Sequence, residues 1–127
     1  MIATVLTVDG AFGVDLETEE VLEAEAGDPA EHVAVELPRV VAAARAGSTV
    51  VAVVDRRPPL VVSHDAGSTW REAGGGLPPG RAVAIGDDPD LVVYAARNRL
   101  YLSRDGGRFW QALAVELPGI TAVTFVD

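Results

Sequence analysis

Residues 63–70 read Ser-His-Asp-Ala-Gly-Ser-Thr-Trp, and residues 103–110 read Ser-Arg-Asp-Gly-Gly-Arg-Phe-Trp. The two stretches share the frame Ser-x-Asp-x-Gly-x-(Thr/Phe)-Trp and begin forty residues apart. An aspartate can accept hydrogen bonds from backbone N–H groups of a turn, and glycine supplies the positive φ that a tight turn requires. Each stretch is therefore predicted to be a structural turn between two strands, in preference to a ligand or metal site.

A second marker repeats at the same interval. The dipeptide Leu-Pro occurs at residues 37–38, 77–78 and 117–118, and Ala-Val-Glu-Leu-Pro occurs in full at both 34–38 and 114–118. Two independent markers that keep one step indicate an internal structural repeat of forty residues.

Each repeat contains short segments rich in β-branched residues and separated by turn residues. The strands predicted in the second and third repeats are 40–45, 49–55, 60–63, 69–73, 82–86, 91–96, 100–103 and 109–115. Residues 39–46 have the alanine content of a short helix, but the aligned positions of the other repeats favour a strand. The pattern predicts an all-β fold.

The shared frame resembles the Asp-box, or BNR repeat, of sialidases, photosystem assembly factors and other β-propellers. The resemblance implies a propeller of four-stranded antiparallel blades, for which about forty residues per blade is the usual length. It also implies that the box residues are structural and not catalytic; these are Ser63, Asp65, Gly67, Trp70, Ser103, Asp105, Gly107 and Trp110.

The repeat divides residues 1–127, a single domain, into three blades and a closing strand. These parts are a degenerate blade, two Asp-box blades and the strand, at 1–38, 39–80, 81–119 and 120–127. In the degenerate blade Glu17 falls on the Asp position of the box, Glu19 on the Gly position and Leu22 on the Trp position. Extra residues at 24–32 are expected to form a mobile loop.

The degenerate blade lacks its first strand. Its second, third and fourth strands are matched by residues 2–8, 11–15 and 21–26. Residues 120–126 supply a spare first strand. Because propellers have about four to eight blades, we expect this last strand to lie too far from the first blade of its own chain. It would pair with a second copy, giving a six-bladed homodimer with strand exchange. A trimer, a piece of a larger propeller and pairing with different chains are the alternatives.

Composition excludes several classes of function. The net charge of −9 argues against binding to nucleic acid or to an anionic membrane. The absence of cysteine excludes disulfides, thiolate catalysis and cysteine-bound zinc. His32 and His64 fall on different blades, so neither a metal site nor a cofactor is expected. The first residues alternate like a strand, and without a signal peptide or membrane span the expected location is cytoplasmic.

Arginines concentrate on one predicted face of the propeller. The loops between second and third strands, together with the connections between blades, contain Arg39, Arg56, Arg57, Arg81, Arg97 and Arg99. The opposite face is expected to be acidic or neutral. Guanidinium groups recognise carboxylates and phosphates, so these six residues are the candidate ligand-binding set. In the alternative interpretation they pair with Asp9, Asp55 and Glu36 and only keep the face soluble.

The function predicted from these features is that of a non-catalytic scaffold or binding module for a protein or a small anionic ligand. The alternative is a sialidase-like glycoside hydrolase or a glycan-binding lectin. By resemblance, such an enzyme needs an arginine triad, a Tyr–Glu nucleophile pair and an acidic residue. Tyr94 and Tyr101 are the only tyrosines, and both fall inside predicted strands, where core packing is expected. No catalytic residue is assigned.

Overall fold

The structure, a computed structural model, describes residues 1–25 and 33–126. The described residues form twelve β-strands. They are β1 (Ile2–Thr7), β2 (Gly10–Asp15), β3 (Val21–Glu23), β4 (Val40–Ala46), β5 (Thr49–Val54), β6 (Leu60–Ser63), β7 (Arg71–Ala73), β8 (Ala82–Ile85), β9 (Val92–Ala95), β10 (Arg99–Ser103), β11 (Gln111–Glu116) and β12 (Ile120–Val126).

The strands form three four-stranded antiparallel sheets, as the repeat predicts. Sheet 1 has the order β12-β1-β2-β3, sheet 2 the order β4-β5-β6-β7, and sheet 3 the order β8-β9-β10-β11. The alanine-rich segment 39–46 contributes the strand β4 and is not a helix, as the repeat alignment indicates. The strands β4, β8 and β12, each at one edge of its sheet, are called the inner strands. The strands β7 and β11 begin two residues later than predicted, because the last residues of each box still belong to the turn.

Sheet 1 is assembled from both ends of the chain. The ladder between β1 and β12 runs from Ile2 opposite Val126 to Thr7 opposite Ile120. The composite sheet is confirmed, but the expectation that β12 cannot reach β1 of its own chain is wrong. Residues 117–119 join β11 directly to β12, so sheet 1 lies beside sheet 3, and β1 meets β12 there. Both strand edges are thereby satisfied without exchange.

Sheet 3 lies between the other two sheets. One of its faces packs on sheet 1 through a buried cluster that includes Val5, Val14, Leu100 and Ile120. Its other face packs on sheet 2 through a second cluster around Tyr94. A third, smaller cluster lies on the face of sheet 2 that points away from sheet 3. We call this side of sheet 2, and likewise the side of sheet 1 that points away from sheet 3, the far face. The cluster joins the far face of sheet 2 to the segment 33–37. Within residues 1–25 and 33–126, none of these clusters combines sheet 1 with sheet 2.

Burial of the second strand of each sheet reflects this arrangement. All residues of β5 and β9 are buried, so their Val-rich sequences pack on both faces. In β1 burial alternates: Ala3 and Val5 are buried against sheet 3, whereas Ile2, Thr4 and Leu6 on the other face are half-buried. Sheet 1 therefore has one packed face and one partly exposed face.

The predicted mobile loop at 24–32 falls mostly on residues 26–32, which lie outside the described residues. His32 lies there as well. The described part of the chain contains no helix long and apolar enough to span a membrane.

Candidate functional site

The two box turns, residues 63–70 and 103–110, have nearly the same hydrogen-bond pattern. In the first, Ser63 Oγ donates to Asp65 Oδ1 (2.7 Å) and accepts from the Gly67 amide (2.8 Å). In the second, Ser103 Oγ makes the same two contacts with Asp105 and Gly107 (2.8 Å each). Gly67 and Gly107 have φ of 95° and 94°. In both boxes the serine, the aspartate and the glycine thus hydrogen-bond with one another within the turn.

The box tryptophans pack on neighbouring structure as predicted. Trp110 lies in the cluster between sheets 2 and 3, with its ring edge-on to Tyr94 at 6.0 Å, and its Nε1 donates to the Gly107 carbonyl (3.0 Å). Trp70 covers the far face of sheet 2 together with Val35 and Leu37. Both side chains thus join a turn to a sheet face.

The turn carboxylates are stabilised in their ionised form. Hydrogen bonds from the Thr69 hydroxyl (2.6 Å) and the Thr69 amide (2.8 Å), with a further one from Ser63, lower the pKa of Asp65 to about 2. The Phe109 amide is the main cause of a lowered pKa at Asp105. Since the carboxylates serve the turn, they are not free to act as general acids near neutral pH.

We expect Asp65→Asn to reduce the acid sensitivity of the fold. The pKa of Asp65 is about 2 in the folded chain and near 3.8 when unfolded, so its contribution to stability is complete above about pH 5. That contribution is lost as the pH falls toward 2. The Tm difference between wild type and Asp65→Asn, measured by circular dichroism, should therefore be several degrees at pH 6 and shrink toward pH 2. Asp87→Asn, at an exposed loop position, is the control, and an equal difference at both pH values would contradict the prediction.

The first box carries backbone strain that the second does not. Ala66 has a φ of 58°, and the equivalent residue in the second box is Gly106, with a φ of 74°. The amide of each residue donates to a carbonyl of the next loop, Ser48 O or Asp90 O, at 2.9 Å. A left-handed conformation costs an alanine more than a glycine.

Ala66→Gly is therefore expected to stabilise the chain by about 0.5–1 kcal/mol, and Gly106→Ala to destabilise it by a similar amount. Chemical denaturation of the two variants measures both effects. Opposite signs are required; a loss of stability in Ala66→Gly would show that the strain is not relieved.

The degenerate blade replaces the box with a simpler turn. Asp15, at the position of the box serine, accepts from the amides of Glu17 (2.9 Å) and Thr18 (3.2 Å), and the Glu17 contact chiefly lowers its pKa. Glu17, which falls on the Asp position, is exposed. Glu19 has the positive φ (62°) of the glycine position, and its Oε1 accepts from the Ala114 amide of sheet 3 (2.6 Å). The turn geometry is kept with a different carboxylate.

The loops between second and third strands and the segments just before β4, β8 and β12 form one surface, which we call the upper face. In sheet 2 the Asp55 amide donates to the Arg39 carbonyl (2.9 Å), and in sheet 3 the Arg81 amide donates to Ala95 O (2.7 Å). The start of each inner strand is thus fixed beside the loop of its own sheet. The Ile120 amide donates to Arg97 O (2.7 Å) and extends the surface to sheet 1.

Each of the six predicted arginines belongs to this upper face. Arg39, Arg56, Arg57, Arg81 and Arg97 are exposed, and Arg99 is half-buried. Among residues 1–25 and 33–126 one ion pair forms, in which Arg99 Nη2 lies 2.8 Å from Glu116 Oε1. The predicted partners Asp9, Asp55 and Glu36 do not pair with arginines in the described part of the chain. Five guanidinium groups therefore face solvent.

A groove on the upper face brings part of this set together. It has a volume of about 220 Å³ and is lined by Val41, Val54, Asp55, Arg56, Arg57, Pro79 and Gly80. Val41, which is 49% exposed, was not predicted; the register of β4 shifts between Val40 and Ala42. An irregularity of this kind depends on pairing with β5, and the sequence of β4 has no glycine to mark it.

The opposite, lower face carries the box turns and the loop 86–91. Asp87, Asp88 and Asp90 are exposed there, as predicted. The expectation of a purely acidic or neutral face is wrong, because Arg104 and Arg108 in the second box are exposed as well. Arg104 and Arg108 both occupy variable positions of the box frame, whose side chains do not close the turn and point toward solvent.

The inner strands β4, β8 and β12 surround a central cavity. A lower part of about 620 Å³ and an upper part of about 310 Å³ share Val33, Ala43, Val83 and Val123 in their linings. Arg45 and Asp87 lie at the lower end, and Arg81 at the upper end. The walls are mainly aliphatic.

The tyrosines lie in the sheets, as predicted. Tyr94 is fully buried, its hydroxyl donates to Pro78 O (2.5 Å), and burial raises its pKa well above the usual value. Tyr101 packs beside it, with ring centroids 6.1 Å apart. His64 is exposed, with Nδ1 3.3 Å from Thr49 Oγ1. Across residues 1–25 and 33–126 no three His, Cys, Asp or Glu side chains group as a metal site.

No protein-family profile and no curated protein matches the chain. Among solved structures, it is similar to the GH74 enzyme of Niastella koreensis, with 21% identity and a TM-score of 0.55 over 91% of this chain and 18% of the enzyme. It is also similar to YCF48 bound to D1 peptide, with 22% identity and a TM-score of 0.53 over 93% of this chain and 42% of YCF48. The chain spans less than half the length of either protein. At this level of identity the likeness shows the fold alone, which is a β-propeller type of repeat.

Proposed function

We propose that this chain is a non-catalytic binding module built from Asp-box repeats, and that its upper face binds a partner rich in carboxylate or phosphate groups. The observation that supports the proposal most directly is the set of five exposed arginines, outside ion pairs among the described residues, on one face of an acidic protein. Exposed guanidinium groups are available for bidentate contacts with such anions.

The groove suggests an acidic peptide as the ligand. Val41 offers an apolar contact beside Arg56 and Arg57, so the groove suits a peptide with one apolar residue among acidic ones. A peptide-bound structure among the neighbours, YCF48 with D1 peptide, is consistent with a propeller-type surface that accepts a peptide. The glycoside hydrolase alternative has less support, since Tyr94 is buried in the core and unavailable as a nucleophile.

Binding of a hexaglutamate peptide, measured by calorimetry at low salt with inorganic phosphate in a parallel titration, tests the proposal. Arg56→Ala/Arg57→Ala, at the groove, should weaken peptide binding about tenfold or more, because charge-assisted contacts are lost. Arg104→Ala/Arg108→Ala changes the net charge equally on the lower face and should leave binding within about twofold of wild type. Equal weakening in both variants, or no binding by wild type, would overturn the proposal.

We also propose that two chains form one ring of six sheets. Three sheets fall below the range of about four to eight blades that closed propellers use, and sheets 1 and 2 do not share a buried cluster among the described residues. Because the ladder between β1 and β12 forms within one chain, the two copies would close the ring through contacts between their sheets. Light scattering on a size-exclusion column should give a mass near twice 13.2 kDa; a mass of one chain would overturn the ring.

A further inference from the structure

The repeat contains three connections from an outer strand to the next inner strand. Residues 74–81 join β7 to β8, and residues 117–119 join β11 to β12; in both cases the two sheets pack on each other. The third connection, residues 24–39 between β3 and β4, joins sheets 1 and 2, which share no buried cluster among the described residues. One sheet-to-sheet contact that the repeat specifies is thus missing within the chain.

The far face of sheet 2 already carries two of the residues that such a contact would use. Val35 and Leu37 pack on it beside Ala52, Val54 and Val61. They belong to the sequence Ala-Val-Glu-Leu-Pro at 34–38, which is repeated at 114–118. There the equivalent residues, Val115 and Leu117, lie in the cluster between sheets 3 and 1. By this equivalence, Val35 and Leu37 mark the rim of a sheet-to-sheet interface.

The far face of sheet 1 is the matching surface. Pairing across the sheet places Thr4 opposite Thr124 and Gly13, and Gly13 opposite Leu22, so these residues share one face. Leu22 is 38% exposed and Val126, opposite Ile2 on the same face, is 46% exposed. The equivalent strands of the other two sheets, β5 and β9, are buried on both faces, so among these three strands β1 is the one with a partly exposed apolar face.

We propose that the far face of sheet 1 packs against the far face of sheet 2, with its rim at Val35 and Leu37, when a second copy of this chain closes the ring. The inference rests on the proposed two-chain ring and names its closing contact. A ring with C2 symmetry contains this contact twice. The half-buried side chains of Val35 and Leu37 on one copy and the exposed Leu22 and Val126 on the other supply the apolar surface that this contact buries.

Matched substitutions on β3 test the contact. Leu22→Glu puts a charge on the far face of sheet 1 and should weaken dimerisation at least tenfold, by light scattering over a concentration series. Val21→Glu is the control, because Val21 is 43% exposed on the same strand but faces the side of sheet 3, opposite Val14. It should leave the dimer intact. Val126→Glu is a second far-face variant, which keeps the test decisive if Leu22→Glu fails to fold.

The outcomes separate the closing contact from dimerisation through another surface. A wild-type dimer that Leu22→Glu and Val126→Glu dissociate, while Val21→Glu does not, supports the closing contact. A wild-type dimer that withstands both far-face charges overturns the contact and the closed ring that requires it, and shows that the two copies associate through another surface. A wild-type monomer overturns both, and peptide binding to the upper face is measured independently of either.

Discussion

Removal of residues 120–127 is expected to abolish folding of the chain. The truncation deletes β12, which forms the innermost strand of sheet 1 and contributes the fully buried Ile120 and Val123. Burial of each such side chain stabilises by about 1.5–3 kcal/mol, and the lost ladder adds to this. The sum approaches the total stability of a typical domain, about 5–15 kcal/mol. Circular dichroism should show loss of the cooperative thermal transition, or the chain should aggregate through the exposed edge of β1.

Addition of the missing strand in trans provides the control for the truncation. A synthetic peptide of residues 120–127 should restore a cooperative transition in a concentration-dependent way, because an extended peptide can complete a sheet at an open edge. A truncated chain that melts like wild type without the peptide would contradict the role given to β12.

Gly80→Ala is expected to destabilise the chain by about 1–3 kcal/mol, because it overpacks the junction of sheets 2 and 3. A Cβ at this position would overlap with the end of the Tyr94 ring. That ring cannot move easily, since it is fully buried, lies against Trp110 and donates its hydroxyl to Pro78 O.

Gly75→Ala is the matched control, because a Cβ there meets no atom within 4 Å and the backbone does not have a positive φ. It should change the free energy of unfolding by less than about 1 kcal/mol. Both variants are compared by chemical denaturation. If Gly80→Ala were as stable as Gly75→Ala, the rigid packing of Tyr94 against the upper loop would be wrong.

The features predicted correctly are those that local residues determine. The box turns close through contacts between residues at most four apart, such as Asp65 with Thr69. A short sequence motif therefore determines their conformation. The Leu-Pro spacing then places the remaining strands. The composite sheet 1 also follows from counting strands, because a repeat that lacks its first strand must find one elsewhere.

The features that were missed depend on residues far apart in the chain. Pairing of β12 with β1 in the same chain depends on where sheet 1 sits in space, which the repeat period does not state. The ion pair of Arg99 with Glu116 needs the register between β10 and β11. The exposure of Val41 depends on an irregularity in pairing with β5. The sequence placed the arginines on the upper face, but it did not show which of them form an ion pair and which are exposed without one among the described residues.

The composite nature of sheet 1 has a consequence for synthesis on the ribosome. The strands β1 to β3 emerge before the other described strands, whereas β12, the partner of β1, emerges after all of them. At about 5–20 residues per second, the edge of β1 waits unpaired for roughly 6–25 s. During that interval the nascent chain offers an open strand to neighbouring nascent chains on the same messenger. Slower translation therefore lengthens the time during which the open edge of β1 is exposed to pairing with a wrong strand.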